Sequence, residues 1–279
     1  MGFRNLGITL TLLLFSTAAY ASSGMNYYPK AELQQLLSGS LKDRDLKDKL
    51  HDILSMKHQV NADGSQELVR ACDDSNCFEH QSLGYRQARR HLFGELHLEG
   101  DQQAGFKVKG VYCQKDFKHD VGPRRIPNAN VLNCEHSWPQ SKFQGFHSKG
   151  MQKGDLHHLF PTDSRINSIR GNYEFAEVDY ERESYCNGAK FGGNNNDPGD
   201  YYFEPPNEHK GNVARALFYF SVRYQIKISK LQEYYLKKWH QQDPVDTFEM
   251  WRNDQIEDIQ GNRNPFIDLP QLVNNIEDF

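Results

Sequence analysis

The sequence predicts an α+β fold, with a small antiparallel sheet packed among several helices. Three observations carry this reading. Leucines recur at helical spacing between residues 30 and 57, and apolar residues do so again from 212 to 261. Between these stretches, at residues 105–113, the period drops to two. A period near 3.6 marks a helix with one buried face, and a period of two marks a half-buried strand.

The elements follow in order. The chain opens MGFRNLGITLTLLLFSTAAYA: Arg4, an apolar run from Ile8 to Phe15, then Ala19-Tyr20-Ala21. That is a charged start, a short apolar segment and a small-x-small cleavage site, so residues 1–21 read as a signal peptide. The run is too short to span a bilayer. The expected destination is secreted or periplasmic, where cysteines oxidise. Leu33, Leu36 and Leu37, then Leu46, Leu50, Ile53 and Leu54, give two helices divided by Gly39. Residues 61–82 are polar and read as a loop pinned by cysteines. Tyr85, Ala88 and Leu92 give a helix stopped near Gly94. GFKVKGVYC places Phe106, Val108 and Tyr112 on one face of a strand and Lys107 and Lys109 on the other. Residues 118–130, rich in Gly, Pro and Asn, are loop. VLNCE is a second strand, halted by Pro139, and DLHHLF at 155–160 a third. Thr162-Asp163 supplies a capping residue for a short helix carrying Arg165 to Arg170, closed by Gly171. GGNNNDPGD at 192–200 reads as an exposed loop. The last three helices are a core helix over 212–226, one opened by a Ser229/Gln232 capping box, and one opened by Asp246/Glu249 and ended at Gly261.

There are five cysteines, an odd count that leaves at least one unpaired within the chain. Cys72 and Cys77 can close a short loop, and Cys113 and Cys134 flank a turn-rich segment as a second candidate pair. A zinc site would need a second C-x4-C and finds none. The formal net charge is −4, and −5 once Arg4 leaves with the leader. Nucleic-acid-binding domains are usually basic, so any positive surface here must be local.

The chemistry concentrates in NCEHSWPQSKF, where Glu135 and His136 stand side by side. Neighbours on a regular strand face opposite ways, so both reach one site only where the strand ends, and Pro139 supplies an ending. A carboxylate suits Mg²⁺ and an imidazole suits a general base. Alone, the pair fits a catalytic site and a buried strand end equally. Downstream, Asn167 offers a neutral amide oxygen, also suited to Mg²⁺. Arg170, three residues on, shares its helix face and could meet the same phosphate.

Four blocks, NCEHSWPQSKF, GDLHHLFPTDSRINSIRGNYEF, GNVARALFYF and PVDTFEMWRNDQIEDIQGNRNPFID, resemble in this order the endonuclease I family of secreted and periplasmic nucleases with a ββα-metal (His-Me finger) core. The resemblance implies a catalytic domain over 81–279, preceded at 22–80 by a helical N-terminal extension. It implies His136 as general base and Glu135 and Asn167 as ligands of one Mg²⁺, for which Mn²⁺ or Ca²⁺ can substitute in binding. Some relatives carry a phosphate-clamping arginine between the E-H pair and the D-L-H strand. This chain has QSKFQGFHSKGMQKG there, without arginine, so Arg170 is assigned the clamp. Arg165 and Lys153 are read as substrate-binding, and Asp155 and His157 as supporting residues. The expected activity is hydrolysis of DNA and RNA with little sequence preference, leaving 5′-phosphates, by a monomer without a membrane span. The rivals are a secreted ribonuclease of the same fold and a catalytically silent nucleic-acid-binding module. A zinc hydrolase would need an H-E-x-x-H, which is not present.

Overall fold

The computed structural model describes residues 24–145 and 147–279, so the leader read at 1–21 lies outside the described residues. Helices α1 (Lys30–Ser38) and α2 (Asp43–Ser55) flank Gly39, whose φ of 66° closes α1 in the left-handed region open to glycine. Leu46, Leu50, Ile53 and Leu54 face inward from α2 as their spacing predicts. They join the same core as Val213 and Leu217.

The 22–80 segment is helical only as far as Ser55. Strand β1 (Lys57–Val60) lies between β2 (Gln66–Val69) and β3 (Cys77–Phe78) in an antiparallel sheet. This corrects the loop expected at 61–82. The strands are mostly polar, and the residue that anchors them is His58, stacked 4.7 Å from Phe78. The Cys72–Cys77 disulfide closes the adjoining loop.

Helix α3 (Tyr85–His91) runs on through a wider turn over Leu92–Leu96 and does not stop at Gly94. Gly94 is there for close approach: a Cβ would fall 2.5 Å from the Arg124 backbone nitrogen. Strands β4 (Leu98–Asp101), β5 (Gly105–Lys109) and β6 (Asp116–Phe117) form a second antiparallel sheet. The strand predicted over 105–113 ends at Lys109, so Tyr112 leaves it.

Strand β7 (Leu132–His136) is followed by α4 (Lys149–Gly154), and β7 pairs antiparallel with β8 (Leu159–Asp163). The DLHHLF strand is corrected. Leu156–His158 is a single 3₁₀ turn whose capping Asp155 accepts from the His157 amide, and the strand begins only at Leu159. Helix α5 (Ser164–Arg170) follows, capped by Asp163 and closed at Gly171. β7 and β8 thus pair across the intervening α4 and 3₁₀ turn, and α5 follows β8 directly, which gives a strand–strand–helix unit.

The 192–200 segment is not a loop. Strands β9 (Glu174–Phe175), β10 (Tyr180–Glu181), β11 (Lys190–Asn194) and β12 (Asp197–Glu204) make a sheet of order β10-β11-β12-β9, with Asn195 and Asn196 turning a hairpin. Its glycines suggest loop but serve packing. A Cβ on Gly192 would fall 1.9 Å from the Tyr180 carbonyl oxygen of the neighbouring strand.

Helix α6 (Asn207–Tyr224) is buried along most of its length and forms the axis of the larger core, against which α7 (Lys230–Gln242) packs. Helices α8 (Thr247–Gln260) and α9 (Pro265–Asp268) follow. Asp246 caps α8 by accepting from the Glu249 amide, as predicted. Ser229 makes no cap bond on α7. Its hydroxyl goes to Glu174, and Gln232 accepts instead from the Phe175 amide. The second disulfide joins Cys113 to Cys186, which corrects the Cys113–Cys134 pairing, and Cys134 is the free, buried cysteine. On β7, Cys134 faces the smaller core beneath α3, where Cys113 cannot reach it.

Candidate active site

Glu135, His136, Asn167 and Arg170 line one cavity of about 470 Å³, together with Tyr85, Gln140 and Asn172. The strand end and the helix that follows β8 meet here, so two distant sequence blocks share a wall.

Glu135 is 1% exposed. Its Oε1 accepts from the Tyr112 hydroxyl at 2.9 Å and lies 3.3 Å from Nη1 of Arg170. Its Oε2 receives no protein donor among the described residues. Burial raises the Glu135 pKa, while Arg170 and the Tyr112 bond work against that rise. Asn167 is half-buried on α5, and its side-chain amide makes no protein hydrogen bond among the described residues. One free carboxylate oxygen and one free amide in a shared cavity suit a hard cation that keeps most of its waters. No cluster of three or more His, Cys, Asp or Glu able to hold an ion forms among the described residues. A set of one carboxylate and one amide is not such a cluster.

His136 is fixed by its backbone surroundings. Its Nε2 lies 3.2 Å from the Lys153 carbonyl oxygen, an obligate acceptor, so Nε2 carries the proton. The lone pair is left on Nδ1, which accepts from the exposed Gln140 amide at 3.3 Å. Burial, with His158 and nearby cations, holds the imidazole pKa well below the usual histidine range. The ring is therefore a neutral acceptor.

Arg170 is not free to reach outward. Its guanidinium donates to the His136 and Ser137 carbonyls, lies 4.5 Å over the Phe175 ring and is 2% exposed. Lys153 and Arg165 are not among the residues lining the cavity. The Lys153 ammonium lies 4.5 Å over the Tyr85 ring, and Arg165 is exposed over Tyr185.

Asp155 and His157 stand behind the cavity. Asp155 is fully buried and accepts from the His157 amide, Gln260, Tyr219 and Tyr224. Burial opposes its charge, but the surrounding histidines and hydrogen bonds outweigh that and hold it below the usual carboxylate range. His157 donates from Nε2 to the Asn262 carbonyl. Arg252 donates to the carbonyls of Leu156 and Leu159. The C-terminal QGNRN block thus braces the turn that delivers β8.

Tyr112 and Gln140 are functional candidates that sequence reasoning missed. Gln140 carries a faint signal, four residues after His136 in a quoted motif. Tyr112 carries none, because its contact with Glu135 joins residues 23 apart.

Three proteins to which the chain is similar are each named as nucleases. An extracellular ribonuclease of Bacillus amyloliquefaciens is 38% identical over 168 residues, 52% of this chain and 53% of the relative. A periplasmic deoxyribonuclease of Aeromonas hydrophila is 32% identical over 117 residues, 42% of this chain and 48% of the relative. An Endonuclease-1 of Buchnera aphidicola is 31% identical over 137 residues, 48% and 51% of the two chains. The chain spans about half the length of these curated relatives. More narrowly, it belongs to the Endonuclease I family, whose model matches residues 43–271. No helix among the described residues is long and apolar enough to cross a membrane.

Proposed function

We propose that the chain is a secreted or periplasmic endonuclease that hydrolyses phosphodiester bonds in DNA and RNA, leaves 5′-phosphates, and works with one Mg²⁺. The observation that carries this reading is the tautomer of His136. The Lys153 carbonyl holds the proton on Nε2, and the Nδ1 lone pair lies in the same cavity as a carboxylate oxygen and an amide that no protein donor occupies.

His136 Nδ1 accepts a proton from a water that displaces the Gln140 amide, and the hydroxide so formed attacks phosphorus in line with the leaving 3′ oxygen. Glu135 Oε2 and the Asn167 amide oxygen would hold Mg²⁺. The ion supplies Lewis-acid stabilisation of the charge that grows on the phosphate and leaving oxygens. Tyr112 and Arg170 hold Glu135 in place through Oε1, so Arg170 is a positioning residue here and not a clamp that touches phosphate. The site, β7–β8–α5, is read as the ββα-metal core. The cation tied to the cavity is Lys153, whose ammonium lies over the lining Tyr85 ring; Lys142 is paired with Glu174, and Arg165 is exposed over Tyr185. Contacts to phosphate carry no sequence information, so cleavage is largely nonspecific and binding weakens with salt.

A second reading, a ribonuclease of the same fold, is favoured by the name of the 38% identical Bacillus relative. The deciding experiment is digestion of plasmid DNA and of RNA in parallel, with and without Mg²⁺, by the wild type and His136→Ala. Metal-independent cleavage, or full activity in His136→Ala, refutes the mechanism. Cleavage of RNA alone selects the second reading.

A further inference from the structure

A second cavity, of about 270 Å³, adjoins the candidate active site, and the hydrolytic mechanism does not use it. Pro139 and Ser141 line both cavities and form the ridge between them. Asn172 of the first cavity donates to the Ser141 hydroxyl at 3.5 Å, and the next residue, Tyr173, lines the second. The second cavity is smaller than the roughly 300–1,000 Å³ of sites for drug-sized ligands, so it suits one planar ring system.

Its walls are aromatic and held from within. Trp138 and Phe143 are buried, and both stack on Phe220, with centroids 5.1 Å and 5.7 Å from it. Tyr173 is half-buried and packs 4.8 Å from Phe191.

The polar lining comes from the pair that does not cap α7. Gln232 is 7% exposed, and its Oε1 accepts from the Phe175 amide at 2.8 Å. Only the oxygen of a side-chain amide accepts, so that bond fixes which way round the group lies and makes Nε2 a donor. Nε2 finds no acceptor among the described residues and is not shut off from solvent, so it opens on the cavity that Gln232 lines. A buried donor of this kind is nearly always satisfied, by protein, by water or by a ligand. Glu174 lines the same cavity. One of its oxygens accepts from Lys142 and the other from Ser229, and each keeps a second lone pair. A free N–H, a carboxylate acceptor and fixed aromatic rings thus share one small space beside the candidate active site.

We propose that this cavity is a subsite for an unpaired nucleobase next to the scissile phosphate. The inference rests on the nuclease reading above and names the form of its substrate. Unpaired bases are bound by stacking on aromatic side chains and by hydrogen bonds to their pairing edges. Each base carries a donor beside an acceptor on that edge, so all four can use Gln232 and Glu174, in keeping with little sequence preference. The sugar–phosphate chain crosses the Pro139–Ser141 ridge between the two cavities. A paired base must leave the stack before it can enter, so the subsite selects single strands and loops over intact duplex.

The test uses the whole protein with Mg²⁺ and two single-stranded heptamers, in DNA and in RNA, that differ only in one abasic nucleotide. Products are mapped by mass spectrometry. In the wild type, a bond flanking the abasic nucleotide should be cut roughly tenfold more slowly than the same bond in the intact heptamer, within the range of a stacked base. Gln232→Glu keeps the oxygen that accepts from Phe175 and removes the donor, and Tyr173→Ala removes a ring. Each should shrink that ratio by about threefold or more, while Tyr173→Phe keeps it. The ratio cancels any general loss of activity or of phosphate binding, and melting curves confirm folding. A ratio near one in the wild type overturns the proposal, as does a wild-type ratio in folded Gln232→Glu and Tyr173→Ala. If no heptamer is cut, the nuclease reading fails, and fluorescence anisotropy still decides the subsite. Tighter binding of the intact than of a wholly abasic heptamer by the wild type, with the difference lost in Gln232→Glu, supports it. Equal binding of the two overturns it.

Discussion

The Arg170 guanidinium lies 3.3 Å from Oε1 of Glu135, and both side chains are 2% exposed. A buried ion pair of this kind holds one oxygen of the carboxylate and leaves the other to the cavity. Removing one partner of such a pair typically costs about 3–5 kcal/mol, because the other charge stays buried alone. Arg170→Met should therefore lower the urea midpoint sharply as well as abolish activity, and Arg170→Lys should recover only part of each. A phosphate clamp would behave otherwise, with stability unchanged and KM raised. Denaturation curves set beside initial rates distinguish the two.

His136→Ala should lose roughly 10²–10⁴ in kcat, the usual worth of a general base. Its affinity for an uncleaved oligonucleotide should stay within about twofold, because the imidazole is not a charged phosphate contact. Single-turnover cleavage and fluorescence anisotropy measure the two quantities separately.

Tyr112→Phe keeps the ring, which packs 4.7 Å from Phe203, and removes only the hydroxyl that bonds Glu135. Loss of a group that orients a metal ligand typically costs about 10–100-fold in affinity or activity. The Mg²⁺ concentration for half-maximal cleavage should rise by that order while Tm changes little. An unaltered Mg²⁺ titration would show that Tyr112 does not tune the carboxylate.

Acid should unfold this protein early. Burial pushes the pKa of His157 down to about 3 and of His158 down to about 4, against an unfolded value near 6.5. The unfolded chain thus binds more protons throughout that window. Stability from these groups is complete above about pH 6.5 and is lost as pH falls towards 4 and 3. Each contributes a slope of ~1.4 kcal/mol per pH unit. Urea midpoints between pH 7 and 4.5 should drop steadily, and His158→Gln should flatten the slope by about one proton. A flat profile would mean that these imidazoles are already charged in the folded state.

Much of the fold was legible because local pattern encodes local structure. The leucine spacing of α2, the Asp246 cap, a cap within Thr162-Asp163, and Gly39 and Gly261 as helix ends were each readable from a few neighbouring residues. The hairpin at 190–204 and the sheet around His58 were not. Their glycines and polar residues match a loop by composition, and only strand pairing reveals what they pack against.

By itself the sequence named the components of the candidate site: a carboxylate, an imidazole and an amide, set at a strand end and on the helix that follows the partner strand, and these line one cavity. Tertiary structure alone decided their arrangement. It paired Cys113 with Cys186, at a separation of 73 residues, and turned Arg170 inward onto Glu135. It brought Tyr219, Tyr224 and Gln260 onto Asp155. Periodicity fixes which face of an element is apolar. Which buried charge meets which donor depends on how those faces pack across the chain, and no local spacing records it.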